Sequence, residues 1–459
     1  METLFGTDGI RGVANRYPMT PEVMIKLGRA IGTLLGTRAN NVVIGRDSRL
    51  SGQMLENALS AGLVASGIDV WLAGVIPTPA VASLTRYQKA QTGIVISASH
   101  NPAKDNGIKV FSHDGFKIPE ELERRIEEII QSDRTNQEQA IGRKLGRIRT
   151  LHQAEALYAE HIVRSIFFDG VPTLSGMKLV IDCANGAASQ VAPSVLNGLQ
   201  ADVIELSVAP DGLNINENCG AMHTETLQQR VIEEKADLGV ALDGDADRLV
   251  LIDEHGQQVD GDHILAMLAL DLLQRGRLKK HILVATVMSN LGLELAMKNA
   301  GIRLYRSAVG DRHVVEKMRR LGSNLGGEQS GHVVMMDHGT TGDGLVTALA
   351  ILKMLYTSQK PLSELAACMT TFPQTLVNVP IQQRKPIEEM VGVSEAIRRA
   401  EKELGERGRT LVRYSGTELL ARVMVEAEDE ADVSRIADMI VEEFHKENQQ
   451  DTPQVTSQR

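Results

Sequence analysis

The stretch Thr92–Phe111, TGIVISASHNPAKDNGIKVF, sets an apolar run at Gly93–Ile96 against a polar cluster at Ser97–Asn101, then returns to the apolar GIKVF of Gly107–Phe111. Two strand-like runs around a polar loop predict paired strands, and loops after strand ends in open α/β sheets are where ligands usually bind. The arrangement recurs twice, as LGVAL-DGDAD-RLVLID at Leu238–Asp253 and NLG-GEQSG-HVVMMD at Asn324–Asp337. Each copy lies in its own stretch of alternating helix and strand patterns, so three related α/β domains are expected, with the three loops facing a common cleft.

Working outward from Thr92, the patterns predict a helix at Pro21–Leu35, a strand at Asn41–Ile44, a helix at Ser51–Ser66, a strand at Asp69–Leu72 and a turn at IPTP, Ile76–Pro79. A second cycle starts with a helix at Ala154–Ile166 and strands at Lys178–Ala184, Ala201–Leu206 and Leu238–Leu242, and a third runs from HILVATVMS to VVMMD. After Pro373 the pattern changes to a helix at Pro386–Leu404 flanked by strands, a small α+β unit. At 459 residues the chain is too long for a single core. The expected fold is therefore three similar α/β domains with mixed sheets (1–150, 151–256 and 257–370) plus a small C-terminal α+β domain (371–447) around a central cleft. Residues 448–459, NQQDTPQVTSQR, lack apolar side chains and read as a disordered tail.

A net charge of −10 with 42% hydrophobic and 24% charged residues argues against nucleic acid as a partner. The acidic, glycine-rich start METLFGTDGIRG has no apolar signal core, and no segment reads as a membrane span, so the chain reads as cytoplasmic. Cys183, Cys219 and Cys368 are too scattered for a disulfide framework or a zinc site.

The loops carry the chemistry. Asp243, Asp245 and Asp247 follow a strand at i, i+2 and i+4, and such a cluster is costly unless a cation neutralises it. Oxygen donors without Cys or His favour Mg²⁺ or Ca²⁺. An EF-hand fails because Arg248 stands where its sixth position needs glycine. The D-x-D-x-[T/V] of aspartyl phosphatases is not met either. In SASHNP, Ser97 and Ser99 have no G-x-S-x-G elbow, and His100 is too near in sequence to serve Ser99 as a base. Beside a metal loop, however, a phosphate-carrying serine is attractive. RYSGTELLAR, Arg413–Arg422, places Ser415, Gly416 and Thr417 between two arginines, the donors a phosphate dianion needs. Glu328, Ser330 and His332 form a polar set suited to sugar hydroxyls. No P-loop is present.

Taken in order, FGTDGIRG (Phe5–Gly12), SASHNP, DGDADR, GEQSGH and RYSGTE resemble the α-D-phosphohexomutase family over nearly the whole chain. The resemblance implies a phosphoryl group moved between O6 and O1 of a hexose phosphate. It implies phosphorylation of Ser99, with Ser99, Asp243, Asp245 and Asp247 holding Mg²⁺ and a sugar 1,6-bisphosphate as activator. Arg11, His100, Lys109 and Arg248 would stand beside the reacting phosphate, with Lys109 or His332 moving the hydroxyl proton. Glu328, Ser330 and His332 would take sugar hydroxyls, and Arg413, Ser415, Gly416, Thr417 and Arg422 the non-reacting phosphate. FGTDGIRG and Gln329 resemble the glucosamine-directed branch more than the mannose- or glucose-directed ones. That implies a cytoplasmic isomerase of amino-sugar and cell-wall precursor metabolism acting on a small phosphosugar, with a homodimer as its assembly. Leu419 departs from the usual S-G-T-E-P of the phosphate loop. A metal-dependent sugar phosphatase and a sugar-phosphate binding module are the competing classes.

Overall fold

The computed structural model of the chain describes residues 4–6, 8–36, 41–132, 140–170, 173–415 and 419–450. Its strands group into four sheets. The first comprises β1 (Ile10–Val13), β2 (Asn41–Arg46), β3 (Asp69–Val75), β4 (Thr92–Ile96), β5 (Asp105–Ser112) and β6 (Ile148–Thr150), in the order β1-β5-β4-β2-β3-β6. The second comprises β7 (Lys178–Asp182), β8 (Asp202–Leu206), β9 (Leu238–Leu242), β10 (Leu249–Ile252) and β11 (Gln258–Val259), ordered β11-β10-β9-β7-β8. The third comprises β12 (Ile282–Thr286), β13 (Arg303–Ser307), β14 (Leu325–Gly327) and β15 (Val333–Met335), ordered β13-β12-β14-β15.

One plan underlies all three. Two parallel strands are extended by an antiparallel pair, β4–β5, β9–β10 or β14–β15, and the loop inside that pair is SASHNP, DGDADR or GEQSGH. The sheets are mixed, as the sequence predicts. Side chains buried on both faces explain the continuous apolar runs: all five residues of β4, β9 and β12 are buried. In the first domain Val42, Ile44, Ile94 and Ile96 pack with Leu27, Leu55 and Leu59 of the covering helices. Those helices, Pro21–Leu35 and Leu50–Ala65, approach closely at Gly28 and Gly62, where a Cβ would lie 2.4 Å from the Leu59 carbonyl oxygen and 2.3 Å from that of Ile25.

The chain divides into two compact units, Met1–Met288 with Gly301–Cys368, and Ser289–Ala300 with the residues from Met369 onward. In the second, β16 (Gln374–Pro380), β17 (Gly408–Tyr414) and β18 (Leu420–Ala427) form an antiparallel sheet ordered β16-β18-β17. Val379, Val423 and Val425 pack there with Ile436, Ile440 and Phe444 of the helix Glu430–Gln450.

Three sequence expectations are corrected. IPTP is not a simple turn, because Thr78–Tyr87 is a helix with proline in its first turn, where the missing N–H costs nothing. The helix expected from Pro386 begins at Val391, after a 3₁₀ turn at Ile387–Glu389. The last helix runs on to Gln450, past 447, and the rest of the expected tail, 451–459, lies outside the described residues. In addition, the helix Leu291–Asn299 belongs to the second unit: the Asn290 side chain, which caps it, bonds the Phe372 backbone at both N–H and C=O, and Leu291 N–H donates to Glu426 (3.1 Å).

Candidate active site

The loop between β4 and β5 holds Ser99 in the left-handed region, at φ +51°. A non-glycine residue there costs on the order of 1–3 kcal/mol, so neighbouring structure must hold it. Asn216 Nδ2 donates to the carbonyls of Ser99 (2.9 Å) and Asn101 (3.0 Å), and Arg49 Nη2 donates to the same two. Arg49 is fully buried against Asp47, whose other partner is Ser97 Oγ (2.5 Å); Ser97 Oγ in turn accepts Ser99 N–H (2.9 Å). Ser97 is thus committed to the backbone of the loop. Ser99 Oγ instead donates to Asp243 Oδ2 at 2.6 Å and lies 3.2 Å from His100 Nδ1.

Asp243, Asp245 and Asp247 are all buried, with one oxygen from each within 4.8 Å of the others. Burial, then Asp247 and Asp245, drive the Asp243 carboxyl well above its ordinary range. Against the cost of burial, Lys109 and Thr78 hold Asp245 below it. Lys109, itself 1% exposed, donates at 2.9 Å to both Asp245 Oδ2 and Asp247 Oδ2, and Thr78 Oγ1 donates to Asp245 at 2.6 Å. The Oδ1 atoms of Asp245 and Asp247 remain buried with no hydrogen-bond partner. Buried carboxylate oxygens left unpaired in an all-oxygen set fit a hard divalent cation.

A cavity of about 660 Å³ opens beside this cluster. His100, Asp247 and Arg248, with Arg11, line one side, and Glu328, Ser330 and His332 line another. Burial, then Arg248 and Arg11, push the His100 imidazole down to about 4. Arg11 donates to the Ala98 carbonyl (3.1 Å) and to Asp8. Glu328 accepts Gly310 N–H (3.0 Å), and Ser330 is exposed. His332 is 2% exposed, and neither ring nitrogen has a hydrogen-bond partner. Gly342 lies against that ring, since a Cβ there would sit 2.4 Å from Nε2.

Four of the five motifs therefore meet in one place. The fifth lies in the second unit, where Arg413 and Arg422 are cross-strand partners on β17 and β18. Burial, then Arg422, lowers the Arg413 guanidinium from its usual value. Ser415 is buried, and its carbonyl accepts Arg384 Nη2 (2.7 Å). Gly416 and Thr417 lie outside the described residues.

Several residues of the site carry no sequence signal read above. Asp47, Arg49 and Asn216 shape the Ser99 loop, and Thr78 supports Asp245. Lys117 bridges Asp8 and Asp311, the latter at 2.5 Å. Asp47 and Arg49 sit just past the end of β2, the position that flagged the other loops, and applying the same rule there would have found them.

Family models described as phosphoglucomutase/phosphomannomutase match the chain in four parts: α/β/α domain I at residues 2–137, domain II at 156–256, domain III at 260–372 and the C-terminal domain at 376–443. A phosphoglucosamine mutase of Nitratidesulfovibrio vulgaris is 50% identical over 445 residues, covering 96% of this chain and 98% of that protein. One from Pelobacter propionicus is 48% identical, covering 97% and 99%. Among solved structures, a phosphoglucomutase/phosphomannomutase family protein of Burkholderia thailandensis superposes with a TM-score of 0.80 at 26% identity, covering 97% of each chain.

Proposed function

We propose, from the premise that the chain belongs to the phosphoglucomutase/phosphomannomutase family, that it interconverts glucosamine 6-phosphate and glucosamine 1-phosphate through a phosphorylated Ser99. The observation that carries the reading is the Ser99 hydroxyl 2.6 Å from Asp243, in a group of three buried carboxylates at the edge of a polar cavity. Identity near 50% to phosphoglucosamine mutases over nearly the whole chain supports the choice of sugar.

Asp243, Asp245 and Asp247 would hold Mg²⁺ together with a phosphoserine oxygen. The ion would supply charge neutralisation as the serine oxygen leaves. Phosphoryl transfer passes through a loose transition state, so positioning and fixed charge matter more than a strong nucleophile. Ser99 carries the phosphoryl group, and Arg11, His100 and Arg248 meet its oxygens from the cavity side. Lys109 offsets the carboxylates from behind. The sugar O1 hydroxyl attacks phosphorus, the bond to Ser99 Oγ breaks, and the hydroxyl proton passes to His332, since Lys109 is already an ammonium shared by Asp245 and Asp247. The product is glucosamine 1,6-bisphosphate with a free serine. Reoriented, it returns its 6-phosphoryl group to Ser99 and takes up a proton at O6. Glu328, Ser330 and His332 would hold the sugar hydroxyls, and Arg413, Ser415, Gly416, Thr417 and Arg422 the phosphate not reacting at that moment.

Phosphorus NMR tests the reading on the purified full chain given glucosamine 6-phosphate, Mg²⁺ and a trace of the 1,6-bisphosphate. Growth of the 1-phosphate signal at the expense of the 6-phosphate is expected. Release of inorganic phosphate instead would make the protein a phosphatase.

A further inference from the structure

The sugar of the proposed reaction differs from glucose in one respect that electrostatics can read, since its C2 bears an amine that is an ammonium when protonated. Asp311 lines the cavity beside the sugar-binding residues, with Oδ2 3.8 Å from His332 Nε2. Its neighbour Gly310 donates to Glu328. Burial opposes ionisation of Asp311, but Lys117 and then His332 outweigh it and hold the carboxyl below its ordinary range. Lys117 is shared between Asp311 and Asp8, and Arg11 and Lys109 are the further cations on Asp8. Asp8 thus has three cations and Glu328 faces Arg248, whereas Asp311 has a share of Lys117 and the His332 ring, which leaves its carboxylate the least compensated of the three. His332 lines the same cavity.

We infer that Asp311 is the specificity-determining residue for the amino sugar, its carboxylate accepting the C2 ammonium of glucosamine phosphate beside Glu328 and His332. This rests on the mutase reading above and goes beyond it. A hydroxyl at C2 can donate to Asp311 but brings no charge to pair with its carboxylate, so glucose phosphate is bound less well.

The test compares Asp311→Asn with the wild-type full chain for kcat/KM on glucosamine 6-phosphate and on glucose 6-phosphate. Asn keeps the shape and still accepts the Arg312 N–H that Asp311 now takes at 2.7 Å. The preference for the amino sugar should fall by about tenfold to a hundredfold, the range of a charge-assisted hydrogen bond. Equal losses on both sugars would overturn the inference, since that pattern belongs to a structural role through Lys117 and His332. A second measurement guards against misfolding of the variant: Ser99→Ala protein titrated calorimetrically should bind glucosamine 6-phosphate at least about tenfold more tightly than glucose 6-phosphate, and equal affinities would also overturn it. A wild-type protein that turns over neither sugar would instead refute the mutase reading.

Discussion

At Asp245 two effects of opposite sign meet: burial disfavours the ionised carboxylate, and Lys109 and Thr78 keep it ionised. Lys109 and Arg248 against three acids are still an unbalanced set, and the Oδ1 atoms without hydrogen-bond partners mark where a further cation would act. A ligand that binds only the folded chain stabilises it, by about 2.7 kcal/mol at a hundred times its dissociation constant. Mg²⁺ should therefore raise the melting temperature of the wild-type protein, and Asp245→Asn should abolish most of that rise. Equal Mg²⁺ shifts in both proteins, read by calorimetry, would remove the carboxylates as the metal site. At this scale the sequence was legible where acids and serines cluster within five or six residues. It was not legible where single residues far apart in the chain act together: Asn216 reaches Ser99 across 117 positions and Thr78 reaches Asp245 across 167.

Among elements, the strand–loop–strand pairs were readable because burial on both faces leaves an unbroken apolar run, and the polar loop then stands out against it. The helix Thr78–Tyr87 was hidden, because Pro77 and Pro79 read equally as a turn or as the first turn of a helix, and only packing decides between them. The helix Gly344–Ser358 carries its own test. Its cap, Asp343, accepts Val346 N–H (3.0 Å) and the Tyr158 hydroxyl at 2.9 Å on each oxygen. Burial raises this carboxyl to about 6 despite those bonds. Because the folded chain holds the proton more tightly than the unfolded one, the stability from protonated Asp343 is complete below about pH 4, is lost as pH rises to about 6 and stays lost above. Asp343→Asn keeps an acceptor for both donors and does not titrate. The stability difference should thus move in favour of the variant by about 2–3 kcal/mol between pH 4 and pH 7 in denaturant unfolding. A difference independent of pH would show that Asp343 is ionised throughout.

Over the whole molecule, three sheets of one plan bring four motifs into a single unit, and the fifth motif rides on a separate sheet of its own. The division of labour proposed here gives the first unit the chemistry and the second a grip on the phosphate at rest. Arg413→Ala should then lower kcat/KM by about one to two orders of magnitude in both directions of the reaction, with the melting temperature little changed. A variant that melts early yet turns over normally would make the Arg413–Arg422 pair structural. Boundaries at this scale were only partly legible: the helix Leu291–Asn299 lies between β12 and β13 in sequence but packs with the second unit through Phe372 and Glu426, contacts that no local pattern announces. The most direct test of the central claim follows one phosphorus atom. Protein labelled with ³²P by exchange with a labelled sugar 1,6-bisphosphate, freed of small molecules and mixed with glucosamine 6-phosphate and Mg²⁺, should pass the label from Ser99 to the sugar as bisphosphate within a single turnover. Label released as inorganic phosphate, or taken up equally by Ser99→Ala protein, would contradict it.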